Sequence, residues 1–180
     1  MRVIKGIHKG RVIYCADSVR PVSSRVRESC FDILAYSLKG ANVLDLFAGS
    51  GALGIEALSS GANKCIFIDS NRKSIKIIEK NLEILGLSTN SVYLKDSFAS
   101  IEFLSKRRDK FDLIFLDPPY HEGSLKKVLQ MLSEYDILSP FGLLVGFCFE
   151  KDDYLKNSEK FALIQKKKYG QTLLLIYKKQ

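Results

Sequence analysis

The sequence predicts an α/β fold organised around one mostly parallel, doubly wound sheet. Three observations carry this. Short apolar runs near residues 43–47, 64–69, 91–95, 112–117 and 141–149 alternate with amphipathic stretches, which is the pattern of repeated strand–helix units. The first run leads straight into Gly49-x-Gly51-x-x-Gly54. The fourth ends at Asp117-Pro118-Pro119-Tyr120, and strands of open α/β sheets present their chemistry at their carboxyl ends.

Taken in order, Val3, Ile4, Ile7, Val12, Ile13 and Tyr14 alternate with basic residues, predicting a small β-hairpin that turns at Lys9-Gly10. Ser23 to Lys39 reads as a helix with Val26, Cys30, Ile33 and Leu34 on one face. Asn71 to Leu85 reads as another, with Ile75, Ile78, Leu82 and Leu85 inward, Asn71 as cap and Gly86 as stop. A further helix starts at Ser124 and buries Leu125, Val128, Leu129 and Leu132. Phe161 to Lys168 and Gln171 to Lys178 form a terminal hairpin around Tyr169-Gly170. Its two strands bring the sheet to seven, with helices on both faces. The 180 residues are expected to form one domain, with residues 1–40 as a basic hairpin and helix and 41–180 as the strand–helix core.

Composition narrows the function. No apolar stretch approaches transmembrane length, and Met1-Arg2-Val3-Ile4-Lys5 lacks the apolar core of a signal peptide. Cys15, Cys30, Cys65 and Cys148 have no metal or disulfide spacing and read as reduced thiols of a cytoplasmic protein. Two histidines, His8 and His121, are too few and too isolated for a zinc site. The net charge is +8 and unevenly spread. Residues 1–30 carry seven Lys/Arg against Asp17 and Glu28, and residues 160–180 carry six lysines and no acid. Between them, 15 basic groups face 18 acidic ones. Folded basic elements flanking a catalytic mouth read as a footprint for phosphates, so the expected partner is a nucleic acid.

The glycine loop lets the backbone approach a ligand at a helix N-terminus. Asp69 ends the next strand 18 residues after Gly51, where a ribose-binding carboxylate belongs. Both features suit a dinucleotide as well as an S-adenosyl nucleoside. Asp45 separates the two, because a carboxylate before the loop favours an ammonium and a sulfonium and repels a pyrophosphate. Ser70 is a second ribose donor, and Asp96, followed by Ser97, is placed to accept from an adenine amine. At the fourth strand, Asp117 and the Pro118 carbonyl, held stiffly by Pro119, can accept both N–H bonds of an exocyclic amine while Tyr120 stacks on its base.

Asp45-x-Phe47-x-Gly49-x-Gly51, Asp69 and Asp117-Pro118-Pro119-Tyr120 together resemble a Rossmann-like class I S-adenosylmethionine-dependent methyltransferase of the amino-methylating type. Gly6-x-x-x-Gly10-Arg11 narrows the resemblance, as do Arg20-Pro21-x-Ser23-x-Arg25-Val26-Arg27-Glu28-x-x-Phe31-x-x-Leu34 and Tyr169-Gly170-x-Thr172. These segments are similar to the RsmD family of 16S ribosomal RNA guanine-N2 methyltransferases. Val22 and Ser24 depart from the family's Thr and acidic residue. The resemblance implies catalysis by Asp117, Pro118, Pro119 and Tyr120. It implies that S-adenosyl-L-methionine is held by Asp45, Phe47, Gly49, Gly51, Asp69, Ser70, Asp96 and Ser97. It further implies RNA contact through Lys5, Lys9, Arg11, Arg20, Arg25, Arg27 and Tyr169, with no metal. The expected substrate is small-subunit ribosomal RNA or the 30S particle, acted on by a monomer with no membrane role. Methylation of an adenine N6 amine is the alternative.

Overall fold

The computed structural model describes residues 1–15, 22–119, 123–156 and 158–180. Its centre is a seven-stranded sheet of β1 (Asn42–Asp45), β2 (Lys64–Asp69), β3 (Val92–Leu94), β4 (Phe111–Leu116), β5 (Leu138–Phe149), β6 (Phe161–Tyr169) and β7 (Thr172–Lys179). The order is β3-β2-β1-β4-β5-β7-β6. The first five strands are parallel, and β7 pairs antiparallel with both β5 and β6. Among the described residues there are five α-helices: α1 (Ser24–Ile33) precedes β1, and α2 (Ala52–Ser59), α3 (Arg72–Ile84), α4 (Ser97–Lys106) and α5 (Ser124–Glu134) follow β1 to β4 in turn. This is the expected Rossmann-like α/β architecture, with the direction of winding reversing between β1 and β4.

Successive strand residues face opposite sides, and the core divides accordingly. Val43, Phe67, Leu113 and Phe115 pack with α1, α2 and α3 on one face. Leu44, Ile66, Ile68, Ile114 and Leu116 pack with α4 and α5 on the other. The helix read over Ser23–Lys39 is shorter than expected. Ser23 caps it, its hydroxyl accepting from Val26 N–H, and after Ile33 the chain tightens into a 3-10 turn at Ala35–Ser37. Asn71 caps α3 as expected, accepting from Lys73 N–H at 2.8 Å.

The N-terminal hairpin is the larger departure. Arg2 and Val12 form an antiparallel bridge, with Val3 N–H donating to Arg11 O and Ile13 N–H to Met1 O. Between them the ladder stops and a 3-10 turn spans Gly6–His8. The reason is competition for donors. Ile4 and Lys5 give their N–H groups to the Glu56 carboxylate at 2.7 and 3.2 Å, and His8 gives its own to Ser59 Oγ at 3.0 Å. The ribbon closes on itself at Met1–Val3 and Gly10–Ile13 and is stitched to α2 between them.

Glu56 is also the partner of Arg27, 3.2 Å away, and both side chains are almost wholly buried. The contact is an ion pair rather than a hydrogen bond, since Nε has no partner in hydrogen-bonding geometry. The other guanidinium nitrogens donate to Arg2 O at 2.7 Å and contact Met1 Sδ at 2.8 Å. Arg27 is thus structural, and the expectation that it contacts RNA is overturned. Two residues earlier on the same helix, Arg25 is exposed.

Removing one member of a buried pair strands the other charge. Arg27→Met should lower unfolding free energy by about 3–5 kcal/mol, whereas Arg25→Met should stay within roughly 0.5 kcal/mol of wild type. Adding Glu56→Gln to Arg27→Met should recover part of the loss. Urea unfolding that finds the two arginine variants equally stable would contradict the structural role of Arg27.

Candidate active site

The register of the parallel strands builds the site. Asp45 on β1 pairs with Phe67 on β2 and with Phe115 on β4. Two residues further along, Asp69 and Asp117 therefore stand level on either side of Phe47. They are two strand spacings apart, about 10 Å. The period of two puts Asp45, Asp69 and Asp117 on the same face as Phe67 and Phe115, toward α1, α2 and α3. All three carboxylates collect where the sheet reverses its winding.

The glycine loop fills the space after β1. Gly51 has φ +76° and precedes α2, a turn that L side chains rarely adopt. Gly54 answers a different need: a Cβ there would sit 2.3 Å from the Phe67 ring and 2.6 Å from Cys65 Sγ, so α2 could not pack on β2. Asp69 clamps the loop, accepting from Gly49 N–H and Asn71 N–H, each at 2.8 Å. Asn81, fully buried on α3, donates to Ser50 O at 3.0 Å and Tyr14 O at 2.9 Å, and accepts from Tyr14 N–H at 2.7 Å. It ties the loop to the end of the N-terminal ribbon.

These elements enclose a cavity of about 690 Å³. Of the expected residues, Phe47, Gly49, Asp69, Ser70, Ser97, Asp117, Pro118, Pro119 and Tyr169 line it. Three expected ligands stand elsewhere. Asp45 is buried behind the wall with Oδ2 accepting from Gly54 N–H at 2.9 Å, so it pins α2 and acts on the cavity only through its charge. Gly51 shapes the loop without lining the cavity. Asp96 is exposed and caps α4 by accepting from Ala99 N–H at 2.9 Å. The side chain of its neighbour Ser97 donates to Leu46 O at 2.6 Å. Tyr120 and Arg20 lie outside the described residues.

Burial lifts both inner carboxyls. Asp45 is pushed up to about 7, with the Gly54 N–H opposing the shift and the Asp69 charge adding to it. Asp117 is likewise pushed up to about 7 by burial and then by the Asp45 charge.

Of the expected RNA contacts, Lys9, Arg11 and Arg25 are exposed, and Arg11 donates to Ile84 O at 3.1 Å. Lys5 is paired with Asp32. Tyr169 hydrogen-bonds Ser29 and walls the cavity opposite Pro118 and Pro119. Phe149, Ser74 and Gln171 also line the cavity, beyond the residues the sequence points to. Phe149 is legible as the last residue of the strand beside β4. Asn81 is legible as a polar residue next to the inward positions of an apolar stripe. Among the described residues no cluster of His, Cys, Asp and Glu could hold a metal, and no helix is long and apolar enough to cross a membrane.

Known proteins resemble this chain in sequence and fold. A Bacillus subtilis (strain 168) protein, YlbH, named as a candidate rRNA methyltransferase, is 39% identical over 183 residues, covering 100% of each chain. The Ribosomal RNA small subunit methyltransferase D of Haemophilus influenzae (strain ATCC 51907 / DSM 11121 / KW20 / Rd) is 33% identical, covering 94% of this chain and 89% of its own. A solved Escherichia coli structure, yhhF, described as a candidate methyltransferase, superposes with a TM-score of 0.88 at 30% identity, covering 100% of this chain and 98% of that one. The sequence model of the family described as Conserved hypothetical protein 95 matches residues 1–178. With the sheet order, the glycine loop and the Asp117-Pro118-Pro119 wall, this establishes that the chain belongs to that family, the RsmD family of methyltransferases.

Proposed function

We propose that the protein transfers a methyl group from S-adenosyl-L-methionine to the exocyclic N2 amine of a guanine in small-subunit ribosomal RNA. One observation carries this reading: Asp117 and Pro118 line the same cavity as the glycine loop and Asp69. An amine-accepting wall and a nucleoside-accepting wall thus share one space. The names of the Haemophilus influenzae and Escherichia coli (strain K12) relatives, both Ribosomal RNA small subunit methyltransferase D, supply the substrate class. Residues 1–40 serve as the RNA-facing part and 41–180 as the catalytic core.

The cofactor fits the residues present. The cavity volume lies within the roughly 300–1,000 Å³ of small-molecule sites. Asp69 offers its remaining lone pairs to a ribose, Phe47 offers an apolar face beside it, and the carboxylate cluster matches a positive charge. When bound, the cofactor supplies an electrophilic methyl on a sulfonium. The chain's own residues do the rest by positioning and by excluding water. Asp117 accepts one N–H of the amine and the Pro118 carbonyl accepts the other, drawing the nitrogen lone pair out of conjugation with the ring. Once the N–C bond has formed, the nitrogen is acidic and its proton passes to Asp117. A carboxylate near 7 is well matched to that transfer at neutral pH. Phe47, Val22, Val26 and Phe149 give the cavity apolar surface beside its polar groups.

Incubating the protein with cofactor and either naked small-subunit RNA or the small-subunit particle, then digesting to nucleosides, tests the reading. N2-methylguanosine is expected with at least one substrate, and Asp117→Ala should lower the rate by roughly 10²–10⁴-fold while cofactor affinity stays within a few fold. N6-methyladenosine as the product, or no transfer to either substrate, would contradict it.

Asp69→Ala strands Gly49 N–H and Asn71 N–H as well as the ribose. Calorimetry should show cofactor affinity weaker by about 1–3 kcal/mol, with RNA affinity unchanged. Unaltered cofactor affinity would mean that Asp69 only shapes the loop.

A further inference from the structure

Four of the thirteen basic residues at the two ends of the chain, Lys5, Arg27, Lys168 and Lys179, are held in ion pairs. Lys168 pairs with Glu150 and Lys179 with Asp136. Lys166 donates to Tyr154 Oη at 2.6 Å, and Lys160 donates to Ser133 O. Arg27 and Lys5 are held by Glu56 and Asp32. The helix α3 is different. Arg72, Lys73, Lys76 and Lys80 are all exposed, and none forms an ion pair among the described residues.

Their arrangement opposes the helix's own stability. Arg72 and Lys73 sit in the first turn, which holds no acid, where the helix dipole disfavours cations. Glu79 and Glu83 lie toward the other end, where it disfavours anions. Arg72, Lys76 and Lys80 follow at intervals of four, a ladder of like charges on one face. A helix serving only as packing would carry these charges the other way round. At 1.5 Å per residue the ladder is about 12 Å long.

It begins at the cavity mouth, since Asn71 and Ser74 line the cavity. It ends at the N-terminal ribbon, where Lys80 lies 3.9 Å over the Tyr14 ring and Arg11 donates to Ile84 O. The exposed Lys9 and Arg11 extend the basic surface onto the ribbon.

We propose that this face of α3, continued by Lys9 and Arg11, is a phosphate-binding track that seats the RNA backbone leading to the target nucleotide. The inference rests on the RNA-methylating reading and assigns its docking surface. Complementarity to a polyanion explains both the uncompensated charges and their continuity with the mouth.

The test compares wild type with Lys73→Glu/Lys76→Glu, using a small-subunit ribosomal RNA transcript at several salt concentrations. As a control of equal charge change, Lys39→Glu/Lys64→Glu alters exposed residues at the amino ends of β1 and β2, whereas the cavity lies at their carboxyl ends. The α3 variant should bind roughly tenfold or more weakly near physiological salt, with its log–log salt slope reduced by about 0.9 for each duplex phosphate it no longer neutralises. Its melting temperature should equal or exceed that of wild type, because the reversal relieves the dipole and the like-charge ladder. Affinity for S-adenosylhomocysteine should be unchanged. The control should bind RNA nearly as wild type does. If the α3 variant retains wild-type affinity and slope, or if both variants weaken equally, the track is overturned while the methyltransferase reading stands. If wild type itself neither binds nor methylates the RNA, both fall.

Discussion

Because β1 lies between β2 and β4 in one parallel register, the carboxylates of Asp45, Asp69 and Asp117 reach the same face at the same edge of the sheet. A slip of one residue in either pairing would turn one of them to the α4–α5 side. The fixed register thus concentrates negative charge in a partly desolvated place. Burial and mutual repulsion raise Asp45 and Asp117 to about 7. In the ligand-free protein this opposes stability: a carboxyl raised on folding costs nothing below its ordinary value and its full penalty above 7. The Gly54 N–H donor offsets part of that cost at Asp45. A bound cation would offset more of it.

The second organising contact is the buried Glu56. It receives N–H groups from Ile4 and Lys5, faces Arg27 on α1, and is itself part of the helix that follows the glycine loop. Asn81 makes a similar link from α3 to Ser50 and Tyr14. The N-terminal ribbon is therefore fixed to both helices that shape the cofactor side of the cavity. Through these links the basic surface and the cavity become parts of one rigid arrangement, which is what a site must have if a nucleotide held by its backbone is to present one amine accurately.

Features that depend on local sequence are legible without the structure. The strand–helix alternation, the glycine loop, Asp69 and the Asp117-Pro118-Pro119 wall are each set by a few adjacent residues and a strand end. Features set by distant partners are not. Arg25 and Arg27 look alike in sequence, yet only Arg27 meets Glu56, 29 positions along the chain. The hairpin departs from expectation for the same reason, because Glu56 takes donors that a ladder would have used. Asp45 and Asp96 carry the right charge in the right segments, but their oxygens serve Gly54 and Ala99. Summing charge over residues 31–159 conceals the basic face of α3, since most of the acids that cancel it in the sum, Glu79 and Glu83 apart, lie off that helix.

If S-adenosylmethionine binds as proposed, the carboxylate cluster acts on its sulfonium charge. S-adenosylmethionine and S-adenosylhomocysteine differ at that sulfur in charge, so the ratio of their affinities isolates the cluster's contribution. Calorimetric titration of both ligands from roughly pH 5.5 to 8.5 should show the methionine form gaining on the homocysteine form as pH rises through about 7, where Asp45 and Asp117 ionise. The gain should be several-fold and smaller in Asp117→Asn. A ratio that stays flat across that range in the wild-type protein would contradict the account.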